Sequence, residues 1–98
     1  MDEKFVTLDT FKSLTEKGFS SYHYPTQSFA QKWLRETKNM HIAIIRNACG
    51  YGYDICKADN GTHIADGVFD GPNDGGQWDT YEEALEAGMQ KALKITEV

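Results

Sequence analysis

The chain is poor in the residues that most often give a small protein away. It has two cysteines and two prolines in 98 residues, and no long apolar run. Cys49 and Cys56 stand seven positions apart, whereas zinc and redox motifs pair their cysteines more closely. No disulfide framework or metal knuckle is expected, and both are read as reduced, structural thiols. No stretch approaches the ~18 apolar residues of a membrane span. Met1-Asp2-Glu3-Lys4 lacks the apolar core of a signal peptide, so no membrane partner is expected and the cytoplasm is the expected compartment. What the chain does have is a hydrophobic fraction of 40% with five Phe, five Tyr and two Trp, enough for one modest core. Residues 1–98 are read as one domain, with 1–24 as an N-terminal extension whose order the sequence leaves open.

The net charge of −5 is unevenly spread. Residues 19–48 carry Lys32, Arg35, Lys38 and Arg46 against Glu36, a net +3, while residues 49–98 carry three lysines against ten acids, a net −7. An acidic surface repels phosphate backbones and disfavours nucleic acid as a partner, although the basic segment keeps that option open.

The most legible stretch is Thr80–Ile95. Thr80 followed by Glu83 is a capping-box pattern, and Tyr81, Ala84, Leu85, Gly88, Ala92 and Ile95 recur at helical spacing. Glu82, Glu83 and Glu86 complement the positive end of the helix dipole, and Lys91 and Lys94 the negative end. A second helix is expected over 26–37, started by Pro25 and Thr26, with Phe29, Ala30, Trp33, Leu34 and Thr37 inward. Gln31, Lys32, Arg35 and Glu36 point outward in this reading. Residues 8–17 read either as a short helix capped by Asp9 and stopped by Gly18 or as a mobile segment, since Phe11 and Leu14 are its main anchors.

Between these lie three strands, expected at about 40–46, 51–58 and 62–69. Met40–Arg46 is rich in apolar and β-branched residues, and Tyr51, Tyr53 and Ile55 alternate with Gly52, Asp54 and Cys56. Asn60-Gly61 suits a two-residue type I′ turn, which would set Ala58 against His63, Cys56 against Ala65 and Ile55 against Asp66. The fold class is therefore α+β. The expected order is helix–three antiparallel strands–helix (α-β-β-β-α), with an extra short N-terminal helix in one reading and the helices on one face.

Motifs that carry chemistry fail on position. An EF-hand loop beginning at Asp70 would put Pro72 at its third position and Tyr81 at its twelfth, so no metal is expected there. Gly75-Gly76 precedes a doubly acidic helix start and makes a poor phosphate cradle. His23, His41 and His63 are scattered, no Ser or Cys sits in a nucleophile elbow, and no catalytic residue or cofactor is expected. A sheet with two helices is also expected to leave little room for a ligand pocket. Trp33 is read as core. Trp78, just outside the last helix, staples that helix to the sheet or, if exposed, anchors a partner.

Gln31-Lys32-Trp33-Leu34-Arg35-Glu36, Asn39-Met40-His41-Ile42-Ala43-Ile44 and Thr80–Gly88 resemble a family of small uncharacterised proteins from gut bacteria and their phages. The likeness spans Thr26 to about Thr96, with Met89 where leucine is usual. It implies a phage or mobile-element accessory role but no particular activity. A more distant likeness is to HicB-type antitoxins, through Ile42–Ile45, Gly50–Ile55 and Thr80–Leu93. Against it, the family's Pro-Asp-Leu-Pro-Gly-Cys-like loop is missing, a long N-terminal extension precedes the strands, and no DNA-binding segment follows the helix. The α-β-β-β-α order is also that of double-stranded-RNA-binding domains. Those carry lysines where this chain has Glu82 and Glu83, which argues against RNA. The sequence thus supports a non-enzymatic protein-interaction module, monomeric or weakly dimeric, whose partner it does not name. Trp78, Lys32, Arg35, Lys38 and Arg46 are its candidate interaction surface. The alternative is a nucleic-acid-binding or HicB-like regulator using the four cations.

Overall fold

A computed structural model describes residues 4–21, 23–67, 71–72 and 77–95. Its elements are α1 (Leu8–Glu16), α2 (Gln27–Thr37), β1 (Met40–Asn47), β2 (Gly50–Lys57), β3 (His63–Asp66) and α3 (Tyr81–Ile95). The strands form one antiparallel sheet in the order β1-β2-β3, and the helices pack on one of its faces. The expected α+β architecture is the observed one, with the short N-terminal helix present.

Local chemistry accounts for both ends of α1 and α2 and for the start of α3. Thr7 caps α1 by accepting from the Thr10 N–H, so Asp9 lies in the first turn, a correction to its expected role as cap. A side chain must reach two or three residues forward to cap, and Thr7 is the residue so placed. Gly18 takes φ 104°, and Phe19 N–H returns to Leu14 O at 3.0 Å, a Schellman closure that seals Phe19 and Leu14 into the core. Thr26 Oγ1 accepts from Phe29 N–H to open α2. Asn39, at φ 58°, turns the chain from α2 into β1. Thr80 Oγ1 accepts from Glu83 N–H at 3.1 Å and donates to the Glu83 carboxylate at 3.0 Å, closing the start of α3 within one turn.

β1 and β2 pair without interruption from Met40↔Lys57 to Asn47↔Gly50. The second hairpin differs from expectation. Its loop is four residues, Ala58–Gly61, closed by Gly61 N–H to Lys57 O and Lys57 N–H to Thr62 O, both 2.8 Å. Within it only Gly61 has positive φ (75°); Asn60 instead uses its side chain to accept from Thr62 N–H. The type I′ register is thereby overturned: Cys56 faces His63, Ile55 faces Ala65 and Asp54 faces Asp66. A β-bulge between Ile55 and Cys56 leaves Ile64 as the extra residue, so Ile64 and Ala65 both pack against the core. Beyond β3 the chain rejoins the sheet at Trp78, whose N–H and C=O exchange bonds of 2.9 and 2.8 Å with Tyr51. Of the third strand expected over 62–69 and the stretch from Asp70 to Gln77, residues 68–70 and 73–76 lie outside the described residues.

The core joins Leu34 of α2, Ile42 of β1, Tyr53 and Ile55 of β2, and Leu85, Met89, Ala92 and Leu93 of α3. The α3 stripe is rotated from expectation: Met89 and Leu93 are inside, whereas Tyr81 is exposed and Ile95 half-buried. Gly88 sets the rotation, because a Cβ there would stand 2.9 Å from Ile42 Cγ2 and 3.1 Å from Tyr53 Cγ. The helix crosses the sheet at that point. Likewise α2 buries Ala30 and Leu34 but leaves Phe29 and Thr37 exposed and Trp33 half-buried. Gln31, expected outward, donates to Ile42 O at 2.7 Å on the open edge of β1.

Candidate functional site

Residues 4–7 do not hang free. Val6 N–H bonds Pro25 O at 3.0 Å and Gln27 N–H bonds Lys4 O at 2.8 Å, which lays Phe5 beside Thr26 at the start of α2. Phe5 and Phe29 are therefore brought to one surface, 59% and 58% exposed. Between them lies a hollow of about 220 Å³ floored by Phe19 and walled by Tyr24 and Pro25. Phe19 is buried edge-on against Phe29 and Trp33, with centroids at 6.2 and 5.4 Å. Phe29 also bounds a second hollow of about 120 Å³ shared with Lys32, Trp33 and Glu36. Lys38 Nζ stands 5.7 Å above the Trp33 ring. The result is an aromatic surface bordered by Lys32 and Lys38.

The expected interaction residues separate into two groups. Lys32 and Lys38 gather around Trp33, with Arg35 half-buried on the same helix. Arg46 sits at the other end of β1 from Lys38, its guanidinium 4.8 Å from the Tyr51 ring, and Trp78 bridges that same Tyr51. Trp78 is half-buried with its ring 5.6 Å from that of Tyr53, so it staples the start of α3 to the sheet. Sequence reasoning missed Phe5, Tyr24 and Phe29 as surface residues. Helical spacing puts Phe29 on one face with Ala30, Trp33, Leu34 and Thr37, whereas the buried line of α2 runs through Gln27, Ala30 and Leu34 and leaves Phe29 outside.

A cavity of about 300 Å³ opens between Lys4, Thr7, Trp78 and the α3 residues Glu82, Glu86 and Gln90, more room than the sequence suggests. Glu86 occupies its wall. Its carboxylate accepts from Thr7 N–H (2.9 Å), Thr7 Oγ1 (3.0 Å) and Gln27 Nε2 (2.8 Å). Glu86 is thus a tie between the N-terminal segment, α2 and α3, rather than the plain dipole-complementing acid expected.

The face of the sheet that no described helix covers, called the uncovered face below, presents His41, Ala43 and Ile45 from β1 and Asp54 and Cys56 from β2, the residues alternating with the buried ones. His63 joins them from β3, with Nδ1 3.0 Å from Asp54 Oδ1 and Nε2 3.7 Å from Asp66 Oδ2. The sequence treats the histidines as scattered because they stand far apart in it, and the two-residue turn would place His63 opposite Ala58 and away from Asp54. The signal available was Ile64-Ala65, two successive apolar residues in a strand, which is what a bulge needs. Cys49 and Cys56 stand outside any disulfide. No family model, curated protein or solved structure matches the chain. Among the described residues no helix is long and apolar enough to cross a membrane.

Proposed function

We propose that this chain is a non-enzymatic protein-interaction module, and that the hollow between Phe5 and Phe29 receives an apolar segment of an acidic partner protein. The observation that carries the reading is the pair of phenylalanines, each more than half exposed, on either side of buried Phe19. Fixed aromatic side chains around a concave floor lose little entropy on binding and supply anchor area. The acidic character assigned to the partner follows from Lys32 and Lys38 at the border and from the net +3 of residues 19–48 in a chain of net −5.

Site-specific photocrosslinking tests it. A photoreactive residue in place of Phe29 should join one acidic protein in host cells, and the same residue in place of Lys91 on α3 should not. The purified pair should then bind, and Phe5→Ser should weaken it by at least about tenfold, the loss of one anchor. Equal adducts at both positions, or affinity indifferent to Phe5, overturns the reading. Retention on DNA that falls steeply with salt would instead favour the nucleic-acid alternative.

A further inference from the structure

We infer that the uncovered face of the sheet holds a divalent transition-metal site made by Asp54, His63 and Asp66. Three observations converge on it. First, their ligand atoms lie within 4.8 Å of one another, with the two closest at 3.0 Å. Around a tetrahedral ion with bonds of ~2.1 Å, ligand atoms stand roughly 3.4 Å apart, so small side-chain rotations assemble the set. Second, Asp54 and Asp66 are direct cross-strand partners. Like charges so placed destabilise a sheet, and a cation between them converts the repulsion into attraction. Third, His63 and Asp66 are three apart, a spacing that points side chains to opposite faces of a regular strand. The bulge at Ile64 spends the odd residue on the core and returns both to one face.

The donor set selects the class of ion. One imidazole nitrogen with two carboxylate oxygens suits Zn²⁺, Co²⁺ or Ni²⁺, whereas calcium takes six to eight oxygens. Three protein ligands on an open face leave the remaining positions to water.

The test is titration of the full chain with Zn²⁺ by calorimetry, in a Cys49→Ser/Cys56→Ser background so that thiols do not contribute. The expected result is one ion per chain. His63→Ala should weaken it by at least about tenfold, and Asp66→Asn, which keeps the shape of the side chain, should weaken it comparably. Zn²⁺ should also raise the Tm of the parent and not that of either variant. His63 and Asp66 are exposed, and circular dichroism verifies that the variants fold. Absence of stoichiometric binding, or binding that survives His63→Ala undiminished, overturns the site.

Discussion

On the helix-covered face of the sheet, Met40, Ile42, Tyr53 and Ile55 repeat every second residue and are almost wholly buried. On the other face the intervening His41, Ala43, Asp54 and Cys56 are half-exposed, and Ile45 more so. The same two strands thus present close packing to one side and polar or small side chains to the other. A substitution should therefore be costly or nearly silent according to its parity along the strand. The covered face is specified by volume; the uncovered one is free to carry chemistry.

The sharpest break of that contrast is at Gly88. A leucine there drives a side chain into Ile42 and Tyr53, which leave no room even for a Cβ. Overpacking usually costs 1–3 kcal/mol, but with a whole leucine set against two buried side chains already this close the loss should exceed about 4 kcal/mol. Thermal denaturation of Gly88→Leu should find little folded protein at room temperature. A normal melt would mean that α3 crosses the sheet elsewhere.

Leu85→Ala comes next. Leu85 is 3% exposed, so the lost contacts and the cavity left behind should cost roughly 2–4 kcal/mol in urea denaturation. A silent substitution would remove this residue from the core.

Glu86→Ala tests whether the covered side extends to the N-terminal segment. The change deletes one acceptor serving three donors on Thr7 and Gln27, at a cost of about 1.5–3 kcal/mol. The effect should be local as well as global. Amide exchange at Val6 and Thr7 should quicken while that of Ile42 and Ile55 keeps its rank.

The covered face was largely legible in the sequence and the uncovered one was not, for one physical reason. Periodicity reports burial, and burial fixes β1, β2, α2 and α3 to within a residue at their ends, whereas β3, expected over 62–69, is His63–Asp66. It even places Leu85, Gly88 and Ala92 inside, and errs on Met89 and Leu93 only because the rotation of α3 depends on a contact distant in sequence, Gly88 on Ile42. The His63 cluster depends instead on register. Asn60-Gly61 satisfies a two-residue turn and a four-residue loop alike, and the choice rests on whether Ile64 alone or Ile64 and Ala65 together enter the core. The Phe5–Phe29 hollow needs the pairing of Lys4 and Val6 with Pro25 and Gln27, for which no local pattern exists.

Deletion of Ile64 should have the smallest effect on stability and sharpens the comparison most. The pairs Cys56↔His63, Ile55↔Ala65 and Asp54↔Asp66 are those of an uninterrupted ladder with Ile64 left over. Without it, His63 and Asp66 become two positions apart and remain on the uncovered face by ordinary alternation, while Ala65 stays on the covered one. The covered face loses a half-buried isoleucine, about 1–2 kcal/mol of transfer energy. The sheet regains regular pairing worth about 0.5–1.5 kcal/mol for one hydrogen bond. The two terms oppose, so denaturation should report a net change within about 1 kcal/mol. Cross-strand nuclear Overhauser contacts should still join Cys56 to His63 and Ile55 to Ala65. If the hairpin instead slips, so that Asp66 moves off Asp54, the bulge is not an insertion into an otherwise regular ladder but the element that sets the register of β3.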